Sequence, residues 1–365
     1  MIDHYYAVIM AGGGGTRLWP LSRLSKPKQL LSFNNDRSLY QISIDRIRET
    51  FNPDNVFVVA SESMSKLLQQ QSPEIPEENF LVEPSPRGTA AAIGLAAAAI
   101  KQLDSAPDAT MAVLTADHLI QNIPYFNQLL EGCYIAAGTD NLITIGIEPT
   151  YAATGYGYIQ SGREVMSIGA LRLLDVTKFK EKPALDQAEQ MIADGNYVWN
   201  SGMFVWRIEN ILKAINNFMP ALSTVMEKVQ MQIGAISVNS EFSMMWNALE
   251  KQTLDYGIME KAKNVAVIPA KNLGWSDVGS WDSLFDVLPA DADGNIVLSG
   301  DSISLNSSNT LIYSENRSKV IATIDIKDLV IIDTGDALLI CPRQSAQHVR
   351  KITEKLKETD RKGYL

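Results

Sequence analysis

The stretch that decides the fold is residues 7–31, AVIMAGGGGTRLWPLSRLSKPKQLL. An apolar run, Ala7–Met10, enters the glycines Gly12, Gly13, Gly14 and Gly15 and leaves them through Thr16 and Arg17. A buried strand that opens into bare backbone presents unhindered N–H groups, which can converge into a nest for an anion. The two familiar phosphate loops do not fit. A Walker loop requires Gly-Lys-Ser/Thr where Thr16-Arg17-Leu18 stands, and a dinucleotide fingerprint requires a third glycine in the place of Arg17. Cations follow instead. Arg17, Lys26 and Lys28 share one loop that Pro20 and Pro27 hold extended. A guanidinium fork and an ammonium point charge together suit an oligophosphate.

Outward from this loop, apolar runs of strand length recur at Tyr6–Met10, Val56–Ala60, Phe80–Val82, Met111–Thr115 and Leu142–Ile147. Helical stretches lie between them at Leu39–Thr50, Met64–Gln71, Thr89–Leu103 and Tyr125–Ala137. Continuous Val/Ile/Leu runs alternating with helices predict an α/β fold whose parallel sheet is covered on both faces. Ligands of such sheets bind beyond the carboxyl ends of the strands, which singles out Gly12–Arg17, Glu83–Thr89 and Ala116–His118. The middle of the chain predicts strands at Val176–Lys182 and Tyr197–Trp206 and helices at Leu185–Ala193, Ile208–Asn217 and Ala221–Gln232. After Pro289 come short β-rich pieces, SISLNS, TLIYS, KVIATI, DLVIID and ALLICP, and then a charged helix at Val349–Lys357. The expected organisation is a catalytic domain over 1–288 and a small all-β, β-helix-like domain over 289–365.

The composition sets bounds. With 365 residues there is room for one large domain and a smaller one. A net charge of −10 argues against nucleic-acid or anionic-membrane partners, while leaving room for a local basic pocket. Cys133 and Cys341 are too few for a disulfide framework or a thiolate metal cluster. No signal peptide or membrane span is expected, and a reducing cytoplasm is the default.

Further motifs follow in order: EPSPRGTAAAIGLAA at 83–97, LTADHLI at 114–120, GYGYI at 155–159, FKEKP at 179–183, NSGMFVW at 200–206, LDYGIMEK at 254–261 and GWSDVGSWDSL at 274–284. With GGGGTRLWPLSRLSKPKQLL they resemble the sugar-1-phosphate nucleotidyltransferases over residues 5–287. The Trp-Pro-Leu-Ser form with Pro-Lys-Gln is most similar to the mannose-1-phosphate guanylyltransferases. The resemblance implies a Rossmann-like, GT-A-like mixed sheet. It also implies a reaction in which mannose 1-phosphate and GTP give GDP-mannose and pyrophosphate. A phosphate oxygen attacks the α-phosphorus in line; the nucleophile is already an anion, so positioning and electrostatics dominate over proton transfer.

Roles follow from the same resemblance. Arg17 is placed on the β- and γ-phosphates and Lys28 near the α-phosphate or the sugar phosphate. Backbone of Gly12–Gly15 serves the nucleotide, and Ala11, Gly12 and the Pro84–Thr89 loop with Arg87 and Gly88 read the guanine. Asp117, at the end of a strand, and Asp277 match a pair of Mg²⁺ carboxylates, each also readable as a turn or helix cap. Asp277 would cap a helix through Trp281–Val287. His118 reads as packing against or orienting a neighbour rather than binding metal. Gly155, Tyr156 and Gly157, Glu181 and Lys182, and Asn200, Ser201 and Gly202 form the expected sugar-phosphate pocket. Asp255, Tyr256, Glu260 and Lys261 match the family without an assigned role. The tail is expected to pack on the catalytic domain and to help form a homodimer, with alternating Ile303, Leu305, Leu311 and Tyr313 needing cover. Two other readings remain: a different sugar 1-phosphate and nucleoside triphosphate, or a catalytically silent relative that senses sugar nucleotide. With His348 as the one histidine after Pro289, isomerase chemistry of a cupin-like domain is not expected.

Overall fold

The computed structural model describes residues 2–13, 15–33, 37–230 and 240–365. Its strands are β1 (Tyr5–Met10), β2 (Val56–Ser61), β3 (Phe80–Glu83), β4 (Thr110–Thr115), β5 (Leu119–Ile120), β6 (Leu142–Ile147), β7 (Tyr158–Ile168), β8 (Leu171–Lys180), β9 (Tyr197–Arg207), β10 (Val265–Ala270), β11 (Trp275–Ser276), β12 (Ile296–Ser299), β13 (Asp301–Leu305), β14 (Leu311–Ser314), β15 (Val320–Ile324), β16 (Leu329–Asp333) and β17 (Leu338–Pro342). Two compact units emerge: Met1–Gly12, Ile44–Thr115 and Asn122–Leu273 form one, and Gly13–Ser43, Ala116–Gln121 and Gly274–Leu365 the other.

The first unit is built on a nine-stranded sheet of order β3-β2-β1-β4-β9-β6-β10-β8-β7. β3, β2, β1 and β4 run parallel, in keeping with the apolar runs that mark them. The other half is not parallel throughout. β9 enters antiparallel between β4 and β6, and β8 pairs antiparallel with β10 and with β7. Buried at most positions, β9 belongs at the centre of a sheet. The expected strand at 176–182 begins earlier, at Leu171, because it is one arm of a long hairpin with β7.

The alanine-rich helix Thr89–Leu103 is buried from Ala90 to Ile100. Its small side chains let the helices Ile208–Phe218 and Pro220–Gln230 close over it, and Trp206, Ile211, Ile215, Leu222 and Met226 share its core. The predicted helix 221–232 is described only to Gln230; its last two positions lie outside the described residues. The helix expected to run to Thr50 stops at Asp45. Turns follow, with Arg46 donating to the Thr115 carbonyl at 2.7 Å and lying over the Phe126 ring.

In the second unit, the Gly13–Ser43 segment and the β-rich tail share one core. Leu18, Trp19, Leu21, Leu31, Phe33 and Leu39 pack with Trp281, Ile296, Leu311, Val330, Ile332 and Val349. The tail winds as parallel coils: β12, β14 and β16 stack in one sheet and β13 and β15 in another, while β17 returns antiparallel to β16. Asn306 and Asp325, and likewise Ser314 and Asp333, are bonded partners 19 residues apart. At the coil corners Asn306, Asn309, Asp325 and Asp328 take positive φ, which short polar side chains tolerate. Of the expected apolar face, Leu311 and Tyr313 are buried, whereas Ile303 and Leu305 are exposed. Residues 281–287 hold only a short 3₁₀ turn, Asp282–Asp286, whose first residue is not preceded by an Asp277 cap. Among the described residues, no helix is long and apolar enough to cross a membrane.

Candidate active site

The residues expected on the phosphates lie within the second unit. Thr16–Leu18 forms a single 3₁₀ turn, leaving the Arg17 side chain exposed with no hydrogen bond or ion pair among the described residues. Lys28 is the opposite case. Its buried ammonium donates to Asp117 Oδ2 at 2.9 Å and to the Asp277 carbonyl at 2.5 Å. Gly15, at φ 55°, backs directly onto this lysine; a Cβ there would lie 2.4 Å from Lys28 Cβ. Asp277 Oδ1 accepts from Gly279 N at 2.8 Å, a local turn rather than a helix cap. His118 is buried and accepts from Trp275 Nε1 at 3.1 Å with the rings edge-on, so it orients its neighbour. β5 and β11 pair antiparallel, which brings the 116–121 and 274–279 segments together. Among the described residues no cluster of three or more His, Cys, Asp or Glu could hold a metal. The Asp117 carboxylate and the Asp277 main-chain carbonyl face the Lys28 ammonium, while the Asp277 carboxylate is turned to Gly279 N; hard carboxylate donors of this kind suit an ion that takes the rest of its shell from phosphate and water. Gly14 lies outside the described residues.

A second group lies within the first unit. Asn200 accepts from Thr144 Oγ1 and Gly202 N and donates to Asp255 Oδ1 at 2.8 Å, which fixes its amide orientation. Lys182 Nζ is 2.6 Å from Glu181 Oε1, and Glu260 Oε1 accepts from the Glu181 N–H. Glu181 Oε2 is buried with no partner, an acceptor waiting for a donor. Gly157 makes room for it: a Cβ there would come within 2.3 Å of that oxygen. Burial, reinforced by the Glu181 charge, raises the Asp255 carboxyl to about 6. Tyr156 packs edge-on to Trp199. Ser201 does not share this pocket chemistry: its buried hydroxyl donates to Ile145 O at 2.6 Å and accepts from Met203 N.

The 83–89 loop also belongs to the first unit and is laced to residues 246–254. Trp246 Nε1 donates to Ser85 O, Gln252 N to Arg87 O, Ala90 N to Gln252 O, and Leu254 N to Thr89 Oγ1. Arg87 is turned toward Leu249 O and Asn247 Oδ1, both protein acceptors. Gly88 stands at φ 91°, where a Cβ would lie 2.2 Å from the Gln252 carbonyl oxygen, so no other residue fits this backbone. Ala11 uses its N–H on Val59 O at 3.0 Å.

The nucleotidyl transferase family model matches residues 6–294, and the MannoseP isomerase/GMP-like beta-helix domain model matches 300–356. The chain belongs to the nucleotidyl transferase family. This nucleotidyl transferase is 37% identical to mannose-1-phosphate guanylyltransferase ManC of Salmonella typhimurium (strain LT2) over 98% of its length and 74% of that protein. It is 36% identical to the mannose-1-phosphate guanylyltransferase of Escherichia coli (strain K12), again over 98% of this chain and 74% of the relative. A crystal structure of mannose-1-phosphate geranyltransferase from Thermus thermophilus superposes with a TM-score of 0.86 at 29% identity, covering 97% of this chain and 99% of the other.

Two residues that the sequence matched to the family without a role, Asp255 and Glu260, and one that it did not single out, Trp246, take places in these groups. Asp255 and Glu260 join the Asn200–Glu181 group, and Trp246 anchors the 83–89 loop. The first two stand five residues apart, a spacing that would not share a face of an α-helix. A π-turn over Asp255–Met259 explains the spacing.

Proposed function

We propose that this chain transfers GMP from GTP to mannose 1-phosphate. The sugar phosphate oxygen forms a bond to the α-phosphorus, the α–β bridge bond breaks, and pyrophosphate leaves with the bonding pair. Residues 1–288 carry this chemistry and 289–365 the β-rich domain. Arg17 meets the charge that accumulates on the departing pyrophosphate, and Lys28 the reacting phosphates; the backbone of Gly12, Gly13, Gly14, Gly15 and Thr16 lines the nucleotide. Ala11, Pro84, Arg87, Gly88 and Thr89 form the guanine side, with Arg87 acting by bracing the loop rather than by touching the base. Gly155, Tyr156, Gly157, Glu181, Lys182, Asn200 and Gly202 form the mannose 1-phosphate side, where Glu181 Oε2 accepts from a sugar hydroxyl, and Ser201 supports them only through its bonds to Ile145 and Met203.

Mg²⁺ fits beside Asp117 and Asp277, whose oxygens are hard donors. Bound there, it neutralises charge on the triphosphate. The observation that carries this reading is a buried lysine held by a strand-end carboxylate, in a chain over a third identical to curated mannose-1-phosphate guanylyltransferases. A cytoplasmic location agrees with a phosphorylated sugar substrate. A homodimer through the tail is supported by β13 and β15, which pair with each other and expose Ile303, Leu305, Val320 and Ile324 by 50–61%; a second copy covers that apolar ladder. The test is a panel of the four nucleoside triphosphates against several sugar 1-phosphates, scored by pyrophosphate release. GTP with mannose 1-phosphate should give the highest kcat/KM, and preference for another pair would overturn the assignment.

A further inference from the structure

The loop that carries Arg17 and Lys28 holds another arginine, and its surroundings are of a different kind. Arg23 is 13% exposed and spends its donors on the protein. Nε donates to Pro20 O at 2.7 Å, one Nη to the Tyr364 carbonyl, and the other to Asp336 Oδ1 at 2.7 Å and Thr334 Oγ1 at 3.5 Å. The guanidinium also lies 5.6 Å from the Trp19 ring centroid. Trp19 repeats the link: its indole N–H donates to the same Tyr364 carbonyl at 2.7 Å, and its own carbonyl accepts from Trp281 Nε1 at 3.0 Å. The charge of Arg23 is matched by Asp336, and its fork is filled by acceptors from the tail. A cation in that state is a strut, not a phosphate ligand.

The strut is joined to the chemistry by short backbone steps. Arg23 and Lys26 exchange N–H···O bonds of 3.0 and 3.1 Å, closing a turn that ends at Pro27 and Lys28. Ser22 Oγ donates to Gly15 O at 2.7 Å, and Gly15 abuts Lys28. We propose that Arg23 is a positioning residue that ties the Gly15–Lys28 loop to the β-rich tail through Asp336 and the Tyr364 carbonyl. The tail thereby sets where Arg17 and Lys28 stand. Only the kinetic consequence rests on the phosphate-transfer reading of those two residues; the mechanical link does not.

The experiment uses the full chain with Arg23→Ala, Arg23→Lys and Asp336→Ala, the last removing a half-exposed partner far along the sequence. Hydrogen exchange is read in peptides covering 18–31, with 311–332 as the reference for an intact tail. Faster exchange over 18–31 is expected in Arg23→Ala and Asp336→Ala, with 311–332 unchanged. Steady-state kinetics should show kcat lowered about 10-fold in Arg23→Ala, since small misplacements of catalytic groups cost rate, with the GTP KM moving less than about 3-fold. Arg23→Lys keeps the ion pair but not the fork and should fall between. The Arg23→Ala/Asp336→Ala double variant should lose no more than the worse single variant. Unchanged exchange over 18–31 in both single variants overturns the strut, as does full additivity of the double variant. A wild-type chain inactive on GTP and mannose 1-phosphate would overturn the activity reading alone, and the exchange measurement would still decide the link.

Discussion

Arg17 and Lys28 show how one loop holds two cations in opposite states. Arg17 is exposed, and in the role proposed for it, it meets charge that builds up during reaction, so Arg17→Ala should act on kcat more than on the GTP KM. Loss of one charge-assisted contact of this sort costs about 3 kcal/mol, or roughly 100-fold in kcat, read by pyrophosphate release. Glu83 makes a separate prediction at this scale. Burial pushes its carboxyl from 4.5 to about 7. The native state therefore holds this proton more tightly than the unfolded chain does. The stability so gained is present at low pH and is lost as pH rises from 4.5 through about 7. Glu83→Gln removes that loss. It should be more stable than wild type at about pH 8 by up to about 3 kcal/mol, with the difference vanishing near pH 4.5, as urea melts at several pH values would report.

Among the elements, the β7–β9 region decides whether Glu181 can face its pocket. Gly157→Ala would drive a Cβ into Glu181 Oε2. The KM for mannose 1-phosphate should then rise about 10-fold while that for GTP stays put, and equal effects on both would show a global distortion. This scale is also where the sequence is most and least informative. The helices Thr89–Leu103 and Leu185–Ala193 are legible to the residue, the first because an alanine-rich apolar run is bounded by Gly88 and Asp104, the second because of its apolar period. Strand direction is not legible: nothing within YVWNSGMFVWR tells that β9 runs against both neighbours. Lys28 and Asp117 are legible from motif order, but their bond is made across 89 residues. Arg87 reads as part of the guanine side only through the family resemblance. Its bonds to Asn247 and Leu249 depend on a segment about which its own neighbours carry no signal. The bracing role of Trp246 is invisible in the sequence for the same reason.

For the molecule as a whole, the tail cannot be a detachable accessory. Its Leu311, Val330 and Ile332 share a core with Leu18, Trp19 and Leu31 of the loop. Its outer ladder is a separate matter. Ile303→Glu combined with Ile324→Glu leaves that core intact and should turn the proposed homodimer into a monomer by light scattering without changing which nucleotide is chosen. A dimer that survives both charges would place the interface elsewhere. The second unit has one more consequence, because it is assembled from Gly13–Ser43, Ala116–Gln121 and Gly274–Leu365. On the ribosome, the first of these segments emerges before nearly everything it packs against. At about 5–20 residues per second it waits on the order of tens of seconds. Through that interval Leu18, Trp19, Leu31 and Phe33 have no Val330 or Ile332 to cover them. The Gly13–Ser43 loop is thus made well before the strands that complete its core.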